Sequence, residues 1–344
     1  KSIMADLNAD QIAVHETSWY EENRVFQILG RRVDRIDTDS KEVVLDDGMK
    51  LKYTKLIYAL GSECFVPPIK GADKKNVFAV RRLDDTKKIA DVLPQVKNVI
   101  VIGGGVLGLE AAWELKKAKC HVTVLELAPV IMGRQLDEPA AELLKKISEN
   151  QDIEIRTGVK IAAIEGDDFV SGIRMEDGEV VPAEMVVVSW GVRANTAVAK
   201  DAGIEVDRSV VVNAKMETNV EDIYACGGCA QYQGINYGLW SQAVEQGKTA
   251  GANAAGDDLE YETVSAALNF HGMGTALFAA GDNGKNPNLI YKTVEFKDMG
   301  KKQYQKFYFL NNRLCGVILI GDVSRLAEMT EALEKHATYQ EVMK

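Results

Sequence analysis

Gly103, Gly105 and Gly108 stand in a G-x-G-x-x-G spacing within Val-Ile-Val-Ile-Gly-Gly-Gly-Val-Leu-Gly-Leu-Glu (99–110). That spacing serves pyrophosphate binding: the first glycine allows a tight turn, the second lets backbone approach the phosphates, and the third lets a helix pack closely on the strand. Val106 and Leu107 lead into a helix predicted over 107–118, whose N-terminal amides and positive dipole end attract an anion without a lysine. Glu126 closes the next apolar strand, His-Val-Thr-Val-Leu-Glu (121–126), 23 residues after Gly103. A carboxylate there accepts hydrogen bonds from an adenosine ribose and repels a 2′-phosphate, and no Arg or Lys follows Glu126 before Arg134. The expected ligand is therefore NAD(H) rather than NADP(H).

The elements that position this turn belong to a chain of 344 residues, long enough for two or three domains. Its 51 acidic and 41 basic residues give a net charge of −10, which opposes nucleic-acid binding and attraction to anionic membranes. No apolar run approaches the length of a membrane span, and the five scattered cysteines suit a reducing compartment, so a cytoplasmic protein is expected. The chain opens on Lys1, from which upstream sequence is expected.

Alternating patterns predict a helical and irregular stretch over 3–23, strands over 25–29, 32–37, 43–45 and 55–60, and a turn at Asp46-Asp47-Gly48. Helices are predicted over 84–93, 138–148, 242–255 and 324–336. Further strands are predicted over 153–156, 159–164, 170–175, 185–190, 210–212, 223–225, 289–296, 304–310 and 314–320. The four tryptophans, Trp19, Trp113, Trp190 and Trp240, are expected to fill core or domain contacts.

Several segments together carry a family resemblance. Leu-Ile-Tyr-Ala-Leu-Gly-Ser (56–62), the Gly103 motif, Gly-Val-Arg-Ala-Asn (191–195), Ile-Tyr-Ala-Cys-Gly-Gly-Cys-Ala (223–230) and Leu-Trp-Ser-Gln-Ala-Val-Glu-Gln-Gly-Lys (239–248) occur in order. From about residue 17 onward the chain resembles the pyridine nucleotide-disulfide oxidoreductase superfamily, in particular its rubredoxin reductase, NADH oxidase and nitrite reductase branch. The resemblance implies an α/β fold of two Rossmann-like domains for FAD and NAD(P), its N-terminal part missing here, plus a C-terminal α+β interface domain. The implied domains are a remnant of the FAD domain over 1–94, an NAD domain over 95–205, the second part of the FAD domain over 206–262, and an interface domain over 263–344. Implied cofactor contacts are Glu110, Gly191 and Arg193 for the nicotinamide end. For the flavin side they are Gly61, Ser62, Arg81, Gly227, Gly228, Glu245 and Gln246. The implied chemistry is hydride transfer from NADH to FAD, then electron transfer to a rubredoxin-like protein or a small acceptor.

Three departures fall on the three FAD elements. Nothing before Ser40 offers a second strand–glycine–helix unit, Leu60 replaces the threonine usual in the family, and Gly228 replaces the usual aspartate. These changes argue against FAD binding by this chain alone. They also predict an open strand edge that an N-terminal fragment, a partner chain or rearrangement must cover. Cys226-Gly-Gly-Cys229 has the spacing of a redox dithiol but also reads as a plain turn. Neither zinc nor hydrolytic catalysis has support, since no second cysteine pair or paired histidine occurs. A basic stripe of Lys292, Lys297, Lys301, Lys302, Lys306 and Arg313 is either a docking face for an acidic electron carrier or a solvated hairpin. Two functions follow: an NADH-dependent flavoprotein oxidoreductase, or an NAD-binding subunit that has lost flavin and catalysis. A homodimer is compatible with both.

Overall fold

The computed structural model describes residues 8–263 and 267–344. Predicted helix over residues 3–7 therefore lies outside the described residues. The chain separates into two compact units, one made of Cys64–Gly191 with residues 267–344, the other of Asn8–Glu63 with residues 192–263.

In the first unit five parallel strands run in the order Val77–Ala79, Met185–Val188, Asn98–Ile102, His121–Glu126 and Ile153–Thr157. Residues 99–102 are an unbroken apolar run because this central strand is covered on both faces. Val99, Val101, Val122 and Val124 pack with Leu109, Leu115 and Leu144 of two helices, Val106–Lys117 and Glu138–Glu149. Ile100, Ile102 and Leu125 point the other way, onto Ile164, Ile173 and Val181 of an antiparallel meander, Ile161–Glu165, Gly172–Met175 and Val180–Pro182. Successive side chains of a strand face opposite sides, so a single strand feeds both cores.

Residues 267–344 form a five-stranded antiparallel sheet in the order Ala267–Gly272, Thr275–Gly281, Arg313–Ile320, Gln303–Leu310 and Lys292–Asp298. One face buries Phe270, Leu277, Tyr304 and Ile318 in the same core as Leu109 and Leu144. The opposite face buries Phe278, Phe307 and Leu319 under the helix Leu326–Glu334, through Met329 and Leu333. The C-terminal sheet and the dinucleotide unit thus share one apolar interior.

The second unit joins an antiparallel meander, Val33–Asp37, Glu42–Leu45 and Lys50–Lys52, to two parallel strand pairs and the helix Trp240–Ala255. Leu56–Tyr58 pairs with Ile223–Ala225, and Val210–Val212 with Ala230–Tyr232. Tyr58, Ile223, Ala225 and Ala250 share its core.

The strand expected over 25–29 does not form: Phe26 is 87% exposed and Leu29 79%. An isolated apolar strand with no neighbour gains neither ladder bonds nor burial. Trp240, expected to fill a contact, is 75% exposed.

Candidate functional site

The four glycines of the turn divide by what a side chain would meet. A Cβ on Gly103, whose φ is +109°, would lie 2.3 Å from the Ser189 carbonyl oxygen, and one on Gly108 would lie 1.9 Å from the Gly103 carbonyl oxygen. These two glycines exist for packing. Gly104, which the sequence reading passed over, is a third: its Cβ would fall 2.8 Å from Ile131 Cγ2. Gly105 is different, because a Cβ there meets no protein atom within 4 Å, and its φ of −79° suits any residue. What its missing side chain leaves is open space at the mouth of the turn.

Gly105 is also the N-cap of the Val106–Lys117 helix and offers no side-chain cap. The first turn's hydrogen bond runs from the Leu109 N–H to the Gly105 carbonyl at 3.0 Å, which leaves the Val106, Leu107 and Gly108 amides ahead of the intrahelical ladder. An uncapped, glycine-flanked helix start has the geometry and the dipole that suit an anion. Leu107 projects outward, 58% exposed, and Glu110 opens the second turn, half-buried.

The Glu126 carboxylate reaches this turn. Its Oε2 accepts the Gly104 N–H at 2.6 Å and its Oε1 accepts the Ala128 N–H at 2.7 Å. Two backbone donors fix the carboxylate beside the glycines, and an ionised carboxylate has further lone pairs to offer a ribose. The residues present therefore fit a nicotinamide dinucleotide: open space at Gly105, free amides at Val106 and Leu107, and an oriented acid at the strand end.

In the second unit the loops at 60–62 and 227–229 lie side by side. A Cβ on Gly228 would stand 3.2 Å from Ser62 Oγ and 3.6 Å from Gly61 Cα. Gly61, with φ +64°, has open space beside it, and its carbonyl accepts the Asn195 N–H at 3.0 Å. The Gly227 N–H donates to Gln246 Oε1 at 2.8 Å, and Asn236 Nδ2 donates to the Gly228 carbonyl at 2.9 Å. Gly61, Ser62, Gly227, Gly228 and Gln246 are thus brought together. Glu245, in the second turn of its helix, pairs instead with Lys248 at 2.7 Å. Arg81 belongs to the first unit, where its N–H donates to Asp85 Oδ2 at 2.9 Å ahead of the Leu83–Val92 helix. Gly191, with φ +88°, has open space and accepts the Phe65 N–H at 2.9 Å, while Arg193 is exposed on the short strand Val192–Ala194.

Among the described residues these loops form one glycine-lined wall, and no second G-x-G-x-x-G turn opens a helix beside it. Among the described residues Leu56–Tyr58 has one partner strand, and Leu60 is 43% exposed. Among the described residues, then, part of a flavin-side cradle is present, formed by the loops at 60–62 and 227–229.

Cys226 and Cys229 are buried. Burial pushes the Cys226 thiol up to about 11 and raises that of Cys229, whose Sγ donates to the Cys226 carbonyl at 3.3 Å. Such thiols are poor thiolates, the reverse of a redox dithiol, and the turn reading fits them. No group of three metal-ligating side chains occurs among the described residues.

The expected basic stripe is not continuous. Lys306 turns inward, its side chain 17% exposed, and binds Asp137 at 2.8 Å and Glu295 at 3.3 Å. Lys292 lies 3.7 Å from the centre of the Tyr339 ring, and Arg313 donates to the His336 carbonyl at 3.0 Å. The Asp137 cluster that captures Lys306 escaped the sequence reading. Its one signal was an aspartate before Glu-Pro at a helix start.

Comparison with known proteins agrees with this geometry. The model of the family described as Pyridine nucleotide-disulphide oxidoreductase matches residues 2–247, and that of the Rubredoxin NAD+ reductase C-terminal domain matches residues 265–337. Nitrite reductase [NAD(P)H] of Bacillus subtilis (strain 168) is 35% identical over 345 residues, covering 100% of this chain and 43% of the relative. NADH oxidase of Methanocaldococcus jannaschii is 34% identical, covering 94% of this chain and 78% of the relative. The crystal structure of NADH:rubredoxin oxidoreductase from Clostridium acetobutylicum superposes with a TM-score of 0.82 at 29% identity, covering 98% of this chain and 84% of that one. The chain spans less than half the length of the Bacillus nitrite reductase. With the fingerprint turn, the split second unit and the C-terminal sheet all matched, the chain belongs to the pyridine nucleotide-disulphide oxidoreductase family.

Proposed function

We propose that the chain is part of an NADH-dependent oxidoreductase that passes reducing equivalents from NADH, by way of FAD, to a rubredoxin-like or iron–sulfur acceptor. The observation that carries this reading is the Gly105 opening beside free helix amides and the Glu126 carboxylate. The names of the relatives support the donor and acceptor classes. FAD, when bound, supplies a two-electron acceptor for hydride and a one-electron donor toward the acceptor. This chain's own residues do the rest: Val106 and Leu107 amides hold pyrophosphate, Glu126 holds the adenosine ribose, and Glu110, Gly191 and Arg193 serve the nicotinamide end. Gly61, Ser62, Gly227, Gly228 and Gln246, which the structure brings together, serve the flavin. A further polypeptide segment or a partner chain completes the flavin cradle, and a homodimer is compatible with this arrangement.

The domain limits proposed are 1–94 and 206–262 for the flavin side, 95–205 for NAD and 263–344 for the C-terminal module. A cytoplasmic setting is supported by the net charge of −10 and the free cysteines, and no helix among the described residues is long and apolar enough to cross a membrane. The alternative, a subunit that keeps nucleotide affinity but has lost flavin, draws no support from the relatives. Anaerobic addition of NADH to the purified protein tests the proposal. Bleaching of a flavin absorbance band supports the oxidoreductase; a colourless protein that binds NADH tightly and reduces no acceptor returns the alternative.

A further inference from the structure

A continuous hydrogen-bonded path joins the glycine turn to the C-terminal sheet. It begins at Gly104, whose carbonyl accepts the Met132 N–H at 2.9 Å and whose missing side chain makes room for Ile131. Ile131 and Met132 are 1% and 3% exposed, so the turn rests on a buried support. From Met132 the chain makes one turn, its carbonyl accepting the Gln135 and Leu136 N–H groups at 2.9 and 3.0 Å, and arrives at Asp137.

Asp137 is 8% exposed and carries an unusual load. Its Oδ1 accepts the Ala140 N–H at 3.1 Å and caps the Glu138–Glu149 helix. Its Oδ2 accepts from Tyr304 Oη at 2.7 Å, Lys306 Nζ at 2.8 Å and Tyr308 Oη at 3.0 Å, all from one strand of the C-terminal sheet. Glu295 on the neighbouring strand lies 3.0 Å from the same Tyr304 hydroxyl, as the alternative acceptor for its one hydrogen, and pairs with Lys306 at 3.3 Å. Two further anchors hold the same segment: Asn283 Nδ2 donates to the Arg134 carbonyl at 3.1 Å, and Lys285 Nζ donates to the Gly133 carbonyl. The segment 131–137 is thus gripped by the glycine turn at one end and the C-terminal sheet at the other.

A helix cap needs a single acceptor oxygen, and a cap alone does not require three side-chain donors from a distant strand. What the extra donors do is fix the position of the support under Gly104. Backbone placement at Gly104 in turn sets Glu126, since the Gly104 N–H is one of the two donors that orient its carboxylate.

We propose that Asp137 is a positioning residue for the nucleotide site, and that through Tyr304, Lys306 and Tyr308 the C-terminal sheet sets the affinity for NADH. The inference deepens the reading of the Gly103–Gly108 turn as an NADH site and rests on it. Because coupling between two sites is reciprocal, NADH bound at the turn must also tighten the strand Gln303–Leu310.

The test is NADH binding followed by nicotinamide fluorescence, with amide hydrogen exchange on the same full-length protein. Asp137→Asn and Lys306→Met are expected to weaken NADH binding about tenfold, within the usual range of coupling between sites. Tyr308→Phe removes one hydroxyl and keeps the ring, so it serves where the other variants fold poorly; about threefold weakening is expected. Lys297→Met, on the exposed neighbouring strand, is expected to leave NADH binding unchanged. In the wild type, NADH is expected to slow exchange over residues 303–310, and in Asp137→Asn that slowing is expected to vanish. The proposal is overturned if all three cluster variants bind NADH within twofold of wild type while only their melting temperatures fall, or if exchange over 303–310 ignores NADH. Failure of the wild type itself to bind NADH would instead sink the reading of the glycine turn on which the coupling stands.

Discussion

At the scale of single residues, the motif's glycines are not equivalent. Gly108 lacks a side chain because the Gly103 carbonyl occupies its place, and Gly105 lacks one with no protein atom in the way. The same substitution at the two positions should therefore separate folding from binding. Gly108→Ala is expected to destabilise the unit by about 1–3 kcal/mol, the scale of overpacking. Gly105→Ala is expected to leave the melting temperature within a degree or two of wild type and to weaken NADH at least tenfold. Thermal melts beside a binding titration check both, and a Gly105→Ala protein with full NADH affinity would remove the turn from the site. Both glycines were legible from spacing alone. Gly104 was not, because its need for smallness comes from Ile131, 27 positions further along the chain and outside any local pattern.

Among the elements, those whose burial is two-sided or strictly alternating were the legible ones. Asn98–Ile102 announces itself by the apolar run 99–102 before Gly103, and His121–Glu126 by Val122, Val124 and Leu125 before an acid; the structure places them in register, Ile102 beside Leu125. The hairpin Ala267–Gly272 with Thr275–Gly281 was missed, since its tight turn uses Met273 at φ +56° beside Gly274 at φ +70°, and methionine gives no turn signal. The Asp137 cluster was illegible for another reason. Its members come from separate elements, and Lys306 by itself reads as a surface charge.

Within that cluster, the pH dependence of stability has a definite sign. Burial would raise the Asp137 pKa, but hydrogen bonds from Lys306, Tyr304 and the Ala140 N–H outweigh it and hold the carboxyl below its ordinary value of 3.8. Its contribution is therefore present above about pH 4 and lost as pH falls through the depressed value. Burial would lower the Lys306 pKa, but Asp137 and Glu295 raise it above 10.5, so its contribution is present below that pH and lost as pH rises beyond it. The Tyr304 and Tyr308 hydroxyls, pushed well above their ordinary range first by burial and then by Asp137, remain donors throughout. Asp137→Asn is expected to cost about 3 kcal/mol, the scale for breaking a largely buried pair, between about pH 5 and 9. That gap should close in acid. Denaturant melts at a series of falling pH values check it, and a gap that stays constant all the way into acid would contradict the assignment.

At the scale of the whole molecule, the two units differ in how completely they are covered. The first closes a parallel sheet between helices and a meander, while the second presents Ile57 at 38%, Leu60 at 43%, Val244 at 38% and Trp240 at 75% exposure. Parallel strands are ordinarily buried on both faces, and the pair Leu56–Tyr58 with Ile223–Ala225 has no third strand among the described residues. An open edge with apolar neighbours invites pairing with another chain. The chain in isolation is therefore expected to bind a hydrophobic dye and to self-associate as concentration rises. Both signals should fall when a polypeptide that completes the sheet is supplied. Sedimentation velocity over a hundredfold concentration range, read beside dye fluorescence, decides the matter. A sharp monomer that leaves the dye dark would mean that the second unit covers these residues itself, and the partner proposed for its flavin side would lose its physical motive.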